Sequence, residues 1–196
     1  MTMNRNVKNL PPRVLYESKF KSARYNLLLV VGMTLINILM LFLGGSSYFL
    51  FSATIPYSLS IDGAYYTGRL PADYYADWPE SVAFLGDGYL IVMLAIALAI
   101  LAVYLCCFLF SKKLKIGWMI TAAVMFVLDT LYMVFIYGVG IDSLMDILLH
   151  AWVLYYLISG VVYGRKLKAL PEDEPETVDG EAVEIAVPVP EEKKDE

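Results

Sequence analysis

Ionisable and reactive side chains are scarce in this sequence. Only 18% of its 196 residues are charged, one residue is histidine and two are cysteine. The two cysteines, Cys106 and Cys107, are adjacent, and that spacing fits neither a disulfide framework nor a metal site. No CxxC, HExxH, GxSxG or Walker-type glycine loop occurs, which disfavours the common motif-bearing classes of enzyme. We therefore predict a protein that is not an enzyme, with no catalytic residues, no metal site and no cofactor.

Apolar residues instead make up 59% of the chain, whereas soluble proteins average about 45–50% apolar and about 25% charged residues. Four stretches meet the criterion of about 20 mostly apolar residues that a membrane-spanning helix needs. These predicted spans cover residues 25–43, 89–110, 116–137 and 144–163. The composition therefore predicts an all-α integral membrane protein whose membrane domain covers residues 25–163.

The distribution of lysine and arginine predicts how the chain crosses the membrane. Residues 1–24 contain six basic residues and one acidic residue, whereas the loop over residues 44–88 contains one basic and five acidic residues. Further basic residues follow the second and fourth spans, and basic flanks stay in the cytoplasm by the positive-inside rule. We therefore expect an antiparallel four-helix transmembrane bundle in the plasma (cytoplasmic) membrane. Both termini lie in the cytoplasm, and a large extracytoplasmic loop joins helices 1 and 2.

The two ends of the chain flank this membrane domain. A cleaved signal peptide is the alternative for the first span, but its apolar run exceeds the usual 7–15 residues and LFLGGSSYF offers no A-x-A site, so we favour an uncleaved anchor. Within the basic cytoplasmic segment 1–24, residues 17–24 are interpreted either as a short amphipathic helix on the lipid surface or as a solvated flank. Residues 164–196 are acidic, proline-bearing and poor in aromatics, which predicts a disordered cytoplasmic tail.

Two structures compete for residues 52–68 of the outer loop. Apolar and polar residues alternate there before Asp62-Gly63, as in a hairpin, but Pro56 would then remove a donor from the strand ladder. A short interfacial helix capped by Thr54, with Pro56 in its first turn and Gly68 near its end, accommodates the proline without penalty. We favour the helix. A further helical turn is expected between the prolines at 71 and 79.

The ionisable groups inside the predicted spans, apart from tyrosines, are Asp129, Asp146 and His150. A charged aspartate at the centre of a span is unfavourable by about 2.5–3.5 kcal/mol, so such groups need partners. With a rise of about 1.5 Å per residue, Asp129 and His150 lie roughly 13 and 10 Å below the outer ends of their spans. Asn37 lies roughly 9 Å below the outer end of the first span, so three helices contribute polar groups to one layer. We predict a buried polar cluster of Asn37, Asp129, Asp146 and His150.

This cluster has three interpretations. In the first, Asp129 and His150 form one pair, bridged by Asn37, that fixes helix register, while Ser143 and Asp146 form a capping box at the start of the fourth span. In the second, a proton or cation relay descends from Asp142 through Asp146 and His150 to Asp129. The third, a metal site, is weak because one histidine and no cysteine are available at that depth.

The stretches SARYNLLLVVGMTLINI, YFLFSATIPY and LLHAW resemble a group of small, uncharacterised four-span bacterial membrane proteins. The resemblance implies the four-span architecture and carries over no catalytic or binding residue. The leading functional hypothesis is a non-enzymatic structural, interaction or accessory protein whose partners are the lipid bilayer and another membrane protein or a second copy, not nucleic acid. The alternative is a small proton- or cation-coupled transporter that uses Asp129 and His150. A membrane enzyme acting on a lipid or quinone is a third hypothesis.

Overall fold

The computed structural model describes residues 11–44, 49, 51–141 and 143–171. Asp142, residues 1–10 of the basic N-terminal segment and residues 172–196 of the acidic tail therefore lie outside the described residues. Within the described part, all regular secondary structure is helical: α1 (Pro12–Phe42), α2 (Thr54–Tyr66), α3 (Asp87–Phe110), α4 (Ile116–Tyr137) and α5 (Leu144–Ala169). Short 3-10 helices cover Ala72–Tyr75 and Ser111–Lys113.

Four of these helices, α1, α3, α4 and α5, are long and apolar enough to cross a membrane. The predictions of an all-helical chain and of four candidate spans are therefore confirmed, and the four apolar helices indicate a membrane protein. The bounds of α3 and α4 lie within two residues of the predicted spans. By contrast, α1 begins at Pro12 and α5 continues to Ala169, so both helices run well into the basic flanks.

The basic flank of α1 packs against the end of α5. The rings of Tyr16 and Tyr163 lie 5.6 Å apart, and the Lys166 ammonium lies over both rings. Pro12 occupies the first turn of α1, where its missing N–H has no intrahelical partner to lose. The interpretation of residues 17–24 as a separate surface helix is therefore wrong, because these residues continue α1.

Close approach of α1 and α5 depends on two glycines. A Cβ atom added at Gly160 would lie 2.6 Å from the Cβ of Ala23, and one at Gly164 would lie 3.0 Å from the ring of Phe20. Small residues at this four-residue spacing let membrane helices pack backbone to backbone. Around this crossing the core is apolar, with Leu27 and Leu157 fully buried.

Three of the four alanines of α3 face away from the core: Ala95, Ala99 and Ala102 are exposed, whereas Ala97 is buried. The buried face of α3 consists of Ala97, Leu101, Tyr104 and Cys107. The sequence does not distinguish this buried face, because α3 is apolar on all sides and carries no periodic signal.

Residues 54–66 form the predicted helix and not the hairpin. The helix α2 ends in a Schellman motif, in which the N–H groups of Gly68 and Arg69 donate to the carbonyls of Tyr65 and Ala64. Gly68 has φ +69°, the left-handed conformation that this motif requires. One detail differs from the prediction: Thr54 is the first helical residue and not the cap, and the preceding residue, Ala53, has no capping side chain.

Residues 67–86 fold back over α2. The hydroxyl of Tyr75 lies 3.1–3.2 Å from the carbonyl oxygens of Ala64 and Tyr65 at the end of α2, and the N–H of Leu85 donates to the carbonyl of Tyr66. The expected helical turn is present as the 3-10 helix Ala72–Tyr75. Aromatic rings pack edge-on or stacked along this covering, which we call the aromatic cap: Tyr65, Tyr66, Tyr75, Trp78, Phe84 and Tyr89.

At the opposite end of the molecule, Arg24 joins α1 to the end of α3. Its guanidinium donates to the Ser111 hydroxyl and to the Phe108 carbonyl, each at 2.9 Å, and lies over the Phe108 ring. A cation beside the last carbonyls of α3 is favourable because it satisfies them and opposes the negative end of the helix dipole. We call this the basic end, and the end that carries α2 the α2 end.

Candidate functional site

Polar side chains in α1 hold a non-helical stretch of backbone between α1 and α2. The amide of Asn37 forms two 2.8 Å bonds with the backbone of Phe49, one accepting its N–H and one donating to its carbonyl. One turn away, the hydroxyl of Thr34 donates to the carbonyl of Val30 and accepts the N–H of Ala53. We call Phe49 and residues 51–53 the entry segment. Non-helical backbone among apolar spans needs such partners, because unpaired N–H and C=O groups are costly there.

Asp129 of α4 caps the N-terminus of α2. Its two carboxylate oxygens accept the N–H groups of Thr54 and Ile55, both at 2.8 Å. The first N–H groups of a helix have no intrahelical partner and lie at the positive end of its dipole. A carboxylate there is stabilised both by hydrogen bonds to these N–H groups and by the dipole. Asp129 therefore supplies, from another helix, the cap that Ala53 cannot provide.

His150 of α5 completes this arrangement. Its Nδ1 lies 2.9 Å from the carbonyl oxygen of Asp146, so Nδ1 carries a proton, because a carbonyl only accepts. Its Nε2 lies 3.2 Å from the Thr54 hydroxyl and 3.4 Å from Asp129 Oδ2, and its ring stacks on Phe126 at 5.2 Å. A neutral ring accepts the Thr54 proton at Nε2, and a charged ring donates toward Thr54 and Asp129. His150 and Asp129 are each 1% exposed.

The four residues of the predicted polar cluster do not form one unit. The structure brings Asp129 and His150 together, but Thr54 of α2 joins them and Asn37 does not: Asn37 bonds Phe49 instead. The interpretation of Asn37 as the bridge is therefore wrong. The interpretation failed because it compared only the depths of the three residues in their spans. It did not allow for α2 and the entry segment, which bond these side chains.

Asp146 meets the pair through its backbone carbonyl, which accepts from His150 Nδ1, and it does not form the predicted capping box. The hydroxyl of Ser143 bonds within the α4–α5 turn, accepting from Gly140 N–H and lying 3.0 Å from the carbonyl of Gly138, and it makes no cap bond to α5. The Oδ1 atom of Asp146 is buried and has no hydrogen-bond partner. The capping-box prediction is wrong because a tight turn ending in glycines offers closer partners to Ser143.

A partly enclosed cavity of about 360 Å³ opens beside Asp146 at the α2 end. It is lined by residues of α2, α4, the α4–α5 turn and α5: Thr54, Tyr57, Met133, Tyr137, Gly140, Ser143 and Asp146. Burial raises the pKa of the Tyr57 phenol, and the neighbouring Tyr74 and Tyr137 raise it further, so Tyr57 presents a neutral hydroxyl. Two lining residues contact His150: Thr54 through its hydroxyl and Asp146 through its backbone carbonyl.

From Asp129 toward the basic end, the described side chains that are fully buried are apolar except for the hydroxyls of Thr34, Tyr104 and Ser111. Leu27, Met119 and Leu157 fill this region. In the part of the chain that the structure describes, no three His, Cys, Asp or Glu residues lie together in a way that would hold a metal ion. The polar contacts of the cluster thus end at Asp129 and point toward the α2 end.

Thr34 and Thr54 belong to this arrangement, but the predicted polar cluster did not include them. The hydroxyl of Thr34 bonds one turn back, as span threonines commonly do, and its oxygen also accepts a backbone N–H from the entry segment. The available signal was its position three residues before Asn37, since residues three apart share a helix face. Nothing in the sequence indicated that Thr54 would lie between Asp129 and His150.

No family model, curated protein or solved structure matches this chain. The geometry of its own residues is therefore the basis for the functional argument that follows.

Proposed function

We propose that this chain is a multi-pass protein of the plasma membrane and a non-enzymatic structural, interaction or accessory component. In this proposal α1, α3, α4 and α5 cross the bilayer as an antiparallel bundle, and the region between α1 and α3 is a large extracytoplasmic loop. Both termini are cytoplasmic. The supports are the four apolar helices and the basic residues that gather at the basic end, where Arg24 and Lys166 lie.

One observation supports the non-enzymatic part of the proposal: the polar atoms of Asp129 and His150 already bond to other groups of the protein. Both oxygens of Asp129 accept N–H groups of α2, and both ring nitrogens of His150 face partners within the protein. A reactive pair would need an open side for a substrate, whereas these side chains are 1% exposed. Their contribution is to hold the entry segment and α2 in place.

Association is the activity that this arrangement favours. The region between α1 and α3 presents apolar side chains to its surroundings, among them Tyr74, Val82, Phe84 and Leu85. Exposed apolar groups of this kind mark a membrane surface or a protein partner. The partners we propose are the lipid bilayer and another membrane protein or a second copy of this chain.

A small proton- or cation-coupled transporter is the second candidate, and one observation favours it. Thr54 lines the cavity and also touches His150, so a path of polar atoms runs from the cavity to Asp129. The apolar packing of Leu27, Met119 and Leu157 beyond Asp129 argues against a continuation to the basic end.

Flux measurements separate these two functions. The full-length protein is reconstituted into vesicles enclosing a pH-sensitive dye, and a proton or potassium gradient is imposed. Our proposal expects flux equal to that of protein-free vesicles, for the native chain and for Asp129→Asn alike. Flux above this background that Asp129→Asn abolishes would overturn the proposal in favour of the transporter.

A further inference from the structure

The cavity beside Asp146 has the composition of a binding site and is not used by the structural role of the buried pair. Asp146 supplies a carboxylate, and its buried Oδ1 has no hydrogen-bond partner within the protein. Leaving a buried carboxylate oxygen unpaired is unfavourable, and a cation held against the carboxylate from the cavity offsets part of that penalty. No lysine or arginine among the described residues is paired with Asp146, so its charge is open to an external cation.

Aromatic rings are the second component of the site. Tyr57 of α2 and Tyr137 at the end of α4 line the same cavity as Asp146, and Met133 adds an apolar, polarisable wall. The faces of tyrosine rings attract cations by about 0.5–2 kcal/mol, more when water is excluded. A carboxylate beside two tyrosines is suited to an organic cation, whose charge meets the carboxylate while its carbon groups contact the rings.

We propose that the cavity formed by Tyr57, Met133, Tyr137 and Asp146 binds a small organic ammonium group. The volume of about 360 Å³ lies at the lower end of the range of about 300–1,000 Å³ for ligand pockets, which fits an ammonium group with few substituents. Such a group has two sources: a soluble amine, or the headgroup of a lipid that carries an ammonium. This inference stands apart from the proposed function, because an accessory protein and a transporter are equally able to bind such a ligand.

The test uses choline as the probe and the full-length protein in a maltoside detergent, which contains no ammonium. Calorimetric titration should show saturable binding of choline. Its neutral isostere, 3,3-dimethylbutanol, should not bind, because the isostere keeps the shape and loses the charge. Asp146→Asn should weaken choline binding at least tenfold. Asp77→Asn, which removes an exposed carboxylate from the covering of α2, should leave the affinity unchanged.

Two variants of Tyr137 test the aromatic part of the site at a position where substitution should not disturb the fold. Tyr137 is 56% exposed, so replacing it is compatible with the fold. Tyr137→Phe keeps the ring and should retain choline binding, whereas Tyr137→Leu removes the ring and should weaken binding severalfold. Equal affinities in these two variants would overturn the aromatic part of the site.

Nanodiscs distinguish the two sources. If a lipid headgroup is the ligand, the native protein should unfold at a higher temperature in phosphatidylcholine than in phosphatidylglycerol nanodiscs, and Asp146→Asn should remove this difference. Saturable choline binding in detergent with no such lipid difference assigns a soluble amine and supports the proposal. Neither binding nor a lipid difference, equal binding of the neutral isostere, or binding that Asp146→Asn leaves intact would overturn it, whatever the flux experiment shows.

Discussion

Asp129 shows what a buried carboxylate does in this chain. Its partners are mainly two backbone N–H groups of α2, at 2.8 Å, and only secondarily His150, at 3.4 Å. Hydrogen bonds to an ionised group are shorter and stronger than neutral ones, so the shorter contacts dominate. The carboxylate is therefore better described as a cap of α2 that another helix, α4, provides than as half of an ion pair.

We expect Asp129→Ala to be among the most destabilising substitutions in the protein. It leaves the N–H groups of Thr54 and Ile55 buried without an acceptor, a loss of about 2–4 kcal/mol for a charged cap. Unfolding in one detergent, by heat or by titration with dodecyl sulfate, measures the effect. Thr130→Ala is the matched control on the same helix, since Thr130 bonds only to Phe126 of its own helix. An equal loss in both variants would contradict the capping role.

A double substitution separates a cap from an ion pair. If Asp129 and His150 were chiefly an ion pair, replacing both with leucine would be better tolerated than replacing one. Because Asp129 also caps α2, we expect Asp129→Leu/His150→Leu to remain at least as unstable as Asp129→Leu alone. Recovery of stability in the double variant would show that the ion pair dominates.

At the scale of helices, three polar residues of the spans hold the backbone that leads into α2: Thr34, Asn37 and Asp129. α1 holds the entry segment through Thr34 and Asn37, and α4 caps the helix itself through Asp129. At the other end, α2 is closed by the Schellman motif at Gly68 and by Tyr75. A helix of 13 residues is marginal alone, so these contacts and its packing on α3 stabilise it.

The crossing of α1 and α5 depends on Gly160. We expect Gly160→Ala to destabilise the protein by about 1–3 kcal/mol, because the added methyl would lie 2.6 Å from Ala23 Cβ. Gly32→Ala is the control, since no heavy atom lies within 4 Å of the position of its added Cβ, and alanine there should be neutral or stabilising by about 0.5–1 kcal/mol. The same detergent unfolding measurement serves for both.

A compensating change tests the same contact from the other helix. Ala23→Gly removes the methyl group that the new side chain meets, so Ala23→Gly combined with Gly160→Ala should recover much of the lost stability. Failure to recover, or a Gly160→Ala variant as stable as Gly32→Ala, would show that α1 and α5 do not approach each other this closely.

For the whole molecule, the proposed topology places the C-terminus and the aromatic cap on opposite sides of the membrane. Reporter fusions at Glu196 should be active in the cytoplasm, and reporters inserted within residues 70–80 should be active outside. The reason is the excess of basic residues next to the basic end and of acidic residues in the region 44–88. An insertion at Lys113, between α3 and α4, should report the same side as Glu196. A C-terminal fusion active outside would contradict the four-span topology.

The sequence by itself determined the parts of this protein that depend on local composition. Long apolar runs bounded by basic residues predicted α3 and α4 closely, and the position of Pro56 distinguished a helix from a hairpin at α2, because a proline fits a first turn and not a strand ladder. The scarcity of ionisable groups in the spans also singled out Asp129 and His150, which the structure places 3.4 Å apart.

Only the tertiary structure decided what those groups bind. Every residue except proline carries the same backbone N–H group, so residue types do not indicate which N–H a side chain will bind. The bonds between Asn37 and Phe49 and between Asp129 and α2 were therefore not predictable. The buried face of α3 was equally hidden, because a helix that is apolar on all sides has no periodicity to read. The position of Asp146, which lines the cavity while its backbone carbonyl accepts from His150 Nδ1, follows from the path of the α4–α5 turn, which no pattern of residue types specifies.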